Sequence, residues 1–165
     1  MRTRLVVVSF GLLAVFVLFT VTAMGADMLA GTWKLNVAKS KYSPGPAPQS
    51  NMIKVESIDG GIKLMADGLD TQGKKTHNEY TAKYDGKDNP TKPMLDGKPN
   101  PNAADTVSYK KIDDYTYEVT NKLKGKTLNV ARHVISKDGK TRTVTTTGTN
   151  AQGQKLNDMT VFEKQ

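Results

Sequence analysis

The chain has 165 residues, 24 basic against 16 acidic side chains, a formal net charge of +8 and no cysteine. The missing cysteine excludes disulfides, thiolate catalysis and cysteine-built zinc sites, so an exported version must be held by its core alone. The excess lysines are scattered along the chain rather than gathered into a patch, which argues against a nucleic-acid partner and for a solvated exterior.

Residues 1–25 read as a signal peptide. Arg2 and Arg4 precede an apolar run over 5–21, and Ala23-Met24-Gly25 supplies small residues for cleavage. The run is long enough that an uncleaved membrane anchor is the alternative. Without Arg2 and Arg4, 22 basic residues face 16 acidic ones, a balance of +6 for a domain over 26–165. After cleavage no membrane span is expected. The expected location is the periplasm or the exterior, and the oligomeric state is left open.

All seven prolines fall in two clusters, Pro44, Pro46 and Pro48, then Pro90, Pro93, Pro99 and Pro101. Proline cannot donate to a strand ladder, so these clusters are connections. Elsewhere apolar residues recur mostly at period two, and no amphipathic helix stands out. The first strand, about 31–38, aligns Trp33, Leu35 and Val37. The second, 51–58, aligns Ile53 and Val55, and Asp59-Gly60-Gly61 turns it into a third over 62–69. A fourth spans 75–84 with Tyr80, Ala82 and Tyr84. Residues 86–104 read as a mobile cover at one end of the fold, because so long a connection is usually functional or disordered. Strands follow over 105–112 and from Tyr115 to Thr120, then over 127–136, 140–148 and 155–163. About eight to nine strands joined by tight turns predict an all-β fold, a single antiparallel up-and-down β-barrel, with a β-sandwich as the rival.

Three features together resemble the calycins, the lipocalins and fatty-acid-binding proteins. They are Gly31-x-Trp33 at the start, the meander of hairpins, and the closing run Met159-Thr160-Val161-Phe162-Glu163-Lys164. More narrowly, Gly31-Thr32-Trp33-Lys34-Leu35-Asn36, Tyr84-Asp85-Gly86-Lys87-Asp88 and Asp105-Thr106-Val107-Ser108-Tyr109 resemble a family of exported bacterial lipocalin-like proteins. The resemblance implies a barrel with a small lipophilic ligand inside and structural roles for Gly31 and Trp33. It departs at the closing strand, where fatty-acid-binding proteins carry an arginine and a tyrosine for the ligand carboxylate. Thr160 and Phe162 stand there instead, so a neutral or weakly amphipathic ligand is expected over a simple fatty acid.

Arg132 shares a strand face with Leu128, Val130 and Val134. Three placements stay open: packed on Trp33 by a cation–π contact, as a late arginine does in lipocalins; pointing into the cavity toward an anionic group; or exposed, with Ala131, His133 and Ile135 buried instead. Tyr80, Tyr84, Tyr109 and Tyr117 are candidates for lining a ligand pocket, with barrel core as the simpler role. His77 and His133 are too few for a metal site, and no cofactor is expected. Nothing resembles a nucleophile elbow, a phosphate loop or a triad, so no catalysis is expected. The two functional readings are a binding protein with an open barrel and an envelope interaction or inhibitor module whose barrel is filled by side chains. Cavity volume separates them.

Overall fold

The computed structural model describes residues 27–165, so the signal segment lies outside the described residues. They form one curled antiparallel sheet. Nine strands carry it: β1 (Gly31–Leu35), β2 (Ser50–Ile58), β3 (Gly61–Leu69), β4 (Lys75–Lys83), β8 (Thr106–Lys111), β9 (Thr116–Leu123), β10 (Lys126–Ile135), β11 (Thr141–Thr149) and β12 (Lys155–Lys164). Three two-residue strands lie between the fourth and the eighth: β5 (Asn89–Pro90), β6 (Met94–Leu95) and β7 (Lys98–Pro99). The total is therefore twelve, not eight to nine. A single 3-10 turn (Val37–Lys39) follows β1, capped by the Asn36 side chain.

The order β5-β8-β9-β10-β11-β12-β1-β2-β3-β4-β6-β7 is a meander in which β12 returns to pair with β1. Each long hairpin follows from alternation plus a turn. In β2 and β3, Ile53 and Val55 lie opposite Ala66 and Leu64 on the inner face, while Lys54 and Glu56 face water. The inner rows build one core around Trp33, Leu29, Ile62, Val107, Tyr109, Tyr117 and Ile135.

The segment over 86–104 departs from a mobile end cover. Leu95-Asp96-Gly97-Lys98 is a two-residue hairpin, and Asp96 and Gly97 both take positive φ (47° and 76°), as its type I′ turn needs. Backbone bonds then tie the segment to both margins of the sheet. The Thr91 amide donates to the Asp105 carbonyl ahead of β8, the Lys92 amide to Glu79 on β4, and the Asp96 amide to Lys75. It runs along the approach of β4 and β8, where the hydroxyls of the partly buried Tyr80 and the buried Tyr109 meet at 2.8 Å.

Register decides which side chains reach the interior. Between β9 and β10 the pairing runs Leu123 with Lys126 and Lys122 with Thr127, then jumps to Asn121 with Asn129. Leu128 is the extra residue of a β-bulge, and one extra residue exchanges the two faces of everything after it. Without it Arg132 would lie opposite Tyr117 and point inward. With it Ala131, His133 and Ile135 are buried, and Arg132 is exposed opposite Glu118. Of the three placements open to Arg132, the structure takes the third. It neither covers Trp33 nor enters the interior.

Candidate functional site

Two polar clusters sit on the inner face, at different places along it. The first surrounds Trp33, which is 0% exposed. Its indole Nε1–H donates to the Leu29 carbonyl at 2.8 Å. The Leu29 amide donates in turn to Asp27 Oδ1, which also accepts from the Tyr117 hydroxyl at 2.6 Å, and Asp27 Oδ2 accepts from the Tyr84 hydroxyl. Burial and the adjoining Asp27 carboxylate push both phenols up, so they stay protonated donors. The cation over the Trp33 ring is Lys164, with Nζ 5.0 Å from the centroid. Gly31 makes room for it. Its φ of +132° suits glycine, and a Cβ there would lie 2.4 Å from the Lys164 side chain. The resemblance implied an arginine as the partner on the ring, and the structure places a lysine from the closing strand there.

The second cluster borders a cavity of about 280 Å³. Leu35, Ile53, Ala131, Val144 and Phe162 supply its apolar wall. Tyr42, Asn51, Asn121, Thr146, Thr160 and His133 supply neutral polar groups, and Arg142 is the one lining residue with a permanent charge. Tyr42 and Pro48 bring the first proline-rich connection to this cavity. The connection is fixed along β12 by bonds between Lys41 and Met159 and from the Asn157 amide to the Ser43 carbonyl. Trp33 does not line the cavity, and neither does the segment over 86–104.

Arg142 is only 3% exposed. Its strand sets it between Ile135 on β10 and Phe162 on β12, and its guanidinium lies over the Phe162 ring at 5.4 Å. Nη2 lies 3.1 Å from His133 Nδ1, while Nε and Nη1 are buried without a hydrogen-bond partner. A guanidinium can only donate, so His133 Nδ1 accepts and the ring is neutral, its proton on Nε2. Burial first, and then Arg142, push His133 well below its usual range. Burial also lowers Arg142, but a guanidinium remains charged at neutral pH. Among the described residues no carboxylate pairs with it, and residues 1–26 contain none.

The tyrosine candidates divide. Tyr80 and Tyr109 bond to each other beside His133, whose ring meets Tyr109 edge-on at 6.0 Å, and Tyr84 and Tyr117 hold Asp27. None of the four lines the cavity. Arg132 also lies outside it. Arg142, His133, Tyr42, Asn51, Asn121 and Thr146 are the polar groups that sequence reasoning passed over as cavity residues. Among the described residues no three His, Cys, Asp or Glu side chains stand close enough to hold a metal ion, and no helix is long and apolar enough to cross a membrane.

The neutral His133 makes stability depend on pH. Its native pKa lies below the unfolded value of about 6.5, so below that pH the unfolded chain takes up a proton that the native chain refuses. Stability is then flat above about pH 6.5 and falls on acidification, by at most about 1.4 kcal/mol per pH unit. Urea unfolding at pH 7.5 and 5.5 is expected to show this loss in the native sequence and to show less of it in His133→Gln. The paired carboxylates Glu79 and Glu163 are held low by Lys92 and Lys39 and lose their contribution at more acidic pH. An identical slope in His133→Gln would mean that His133 is charged in the native state.

No protein-family model and no curated protein matches the sequence significantly.

Proposed function

We propose that the protein is an exported, lipocalin-like binding protein that holds one small amphipathic molecule in the interior of an up-and-down β-barrel, without catalysis. The observation that carries this reading is the cavity of about 280 Å³ with an apolar wall and convergent polar groups. Small-molecule sites typically begin near 300 Å³ and have that composition. The meander of the sheet and the return of β12 to β1 support the barrel. The basic, apolar start of the chain supports export to the periplasm or beyond. Binding is favoured over an interaction module because a side-chain-filled interior would leave no space beside a buried cation. Binding is favoured over catalysis because His133 Nδ1 faces a guanidinium, where a triad would place a carboxylate, and no serine or cysteine lines the cavity.

The test uses a neutral apolar fluorophore, N-phenyl-1-naphthylamine. One equivalent is expected to bind with enhanced emission. Val144→Trp, which fills the cavity, is expected to abolish that binding while the far-ultraviolet circular dichroism stays β-like. Emission unchanged by Val144→Trp would place the probe elsewhere and remove the basis for this reading.

A further inference from the structure

We propose that His77, Met65 and Met94 form a binding site for a soft monovalent metal ion, Cu(I), on the outer face of the sheet. The site lies away from the cavity and does not depend on the binding reading above. His77 and His133 are indeed too few to share an ion, since His77 faces outward and His133 is buried on the inner face. Thioether sulfurs change that count.

Three observations converge. First, strand register gathers methionines around one histidine. Of the five methionines among the described residues, Met52, Met65 and Met94 share the outer face over β2, β3 and β6. His77 pairs with Asp67 on one side and with Met94 on the other. Met65 is the next outward residue of β3, diagonal to His77, and it is 38% exposed, so the core does not explain it. Opposite side chains stand about 5 Å apart at Cβ and diagonal ones about 7–8 Å, within reach of a long side chain. Met52 lies two strands from His77, about 10 Å away at ~4.8 Å per strand, too far to share an ion with it. Second, the imidazole is oriented as a metal ligand is. His77 Nδ1 lies 2.7 Å from Asp67 Oδ1. A carboxylate only accepts, so Nδ1 carries the proton and the neutral ring presents the lone pair of Nε2. A carboxylate behind a ligating histidine fixes its tautomer and raises its basicity. Third, the donor set selects the ion. In a chain without cysteine, methionine sulfur is the only soft donor. Thioethers select Cu(I) and imidazole accepts copper, whereas zinc is held by thiolate, imidazole and carboxylate. The neighbouring carboxylates are engaged, Asp67 with His77 and Glu79 with Lys92 at 2.9 Å, so neither is offered to a divalent ion.

Ag(I) is the redox-inert probe for such a site. Silver nitrate is titrated, in chloride-free buffer at pH 7.5, into protein labelled with ¹³C at the methionine methyls. The signals of Met65 and Met94, assigned by their loss in Met65→Leu and Met94→Leu, are expected to shift and to saturate at one equivalent. Those of Met28 and Met159 are expected to stay in place. His77→Phe is expected to abolish the shifts. Asp67→Ala is expected to weaken binding by about tenfold or more, as loss of the group behind a ligating histidine does. Far-ultraviolet circular dichroism should be unchanged in both variants, because His77 and Asp67 face outward. Cu(I), supplied as its acetonitrile complex under nitrogen, is expected to displace Ag(I), and an excess of Zn(II) is not. Methyl signals of Met65 and Met94 that do not move, or that move together with Met28 and Met159 without saturating, would overturn the site. Displacement of Ag(I) by Zn(II) would overturn the soft ion and the methionines as its ligands. Shifts that survive in His77→Phe would remove His77 from the site.

Discussion

Trp33→Ala is expected to lower the unfolding free energy by about 3–5 kcal/mol, the range for large-to-small changes in a packed core. Trp33 is fully buried in the core, and its indole N–H donates to the Leu29 carbonyl. The substitution removes the ring, leaves a cavity and strips the Leu29 carbonyl of its donor. Each change costs separately. The chain has a single tryptophan, so the native environment can be read directly: emission should be blue-shifted and poorly quenched by iodide. Urea unfolding followed by circular dichroism gives the energy. A loss under about 1 kcal/mol, or native emission already red-shifted and readily quenched, would contradict the burial of Trp33.

Asp27→Ala carries the next largest effect, about 2–4 kcal/mol, because it leaves the Tyr84 and Tyr117 hydroxyls and the Leu29 amide without their acceptor. The cost of an orphaned donor exceeds the net worth of the bond that was lost, so removing the donors too should repair much of the damage. The triple variant Asp27→Ala, Tyr84→Phe, Tyr117→Phe is therefore expected to be more stable than Asp27→Ala alone. Additive losses across the three substitutions would show that the carboxylate and the two phenols act independently. The surface ion pairs need no such treatment. Lys39 with Glu163 and Lys54 with Glu56 are exposed on both sides, and such pairs contribute little.

The nine long strands lay close to the surface of the sequence. Alternation such as Ile53 with Val55 or Tyr117 with Val119, punctuated by Asp59-Gly60 and Lys124-Gly125, placed seven of them within one residue of their ends, while β1 stops three residues earlier and β9 runs three residues further than expected. The three short strands were hidden by the prolines around them, although Asp96-Gly97 carried a hairpin signal of the strongest kind. The interior was harder to see. A single bulged residue, Leu128, exchanged the faces of β10 and sent Arg132 outward. A bulge has no composition of its own when the strand reads apolar on both faces. Arg142 was masked differently. The alternating Thr143, Thr145 and Thr147 dominate its strand, yet they line the outer face, and Arg142, Val144 and Thr146 form the inner one. Only the cross-strand partners Ile135 and Phe162 reveal that an arginine sits over the core. The tyrosines were legible as core. Their division between Asp27 at one place and His133 at another depends on contacts across 57 and 90 residues of chain, as with Tyr84 and Tyr117 to Asp27.

The central claim is that the cavity walled by Leu35, Ile53, Val144 and Phe162 is a ligand site. The most direct measurement is a ¹H–¹⁵N correlation spectrum recorded during titration with N-phenyl-1-naphthylamine. The backbone amide signals of Ile53, Ala131 and Val144 are expected to shift progressively and to saturate at one equivalent, while that of the exposed Lys111 on β8 stays in place. Fluorophore binding that leaves the cavity amides unmoved would contradict the claim and place the ligand away from this cavity.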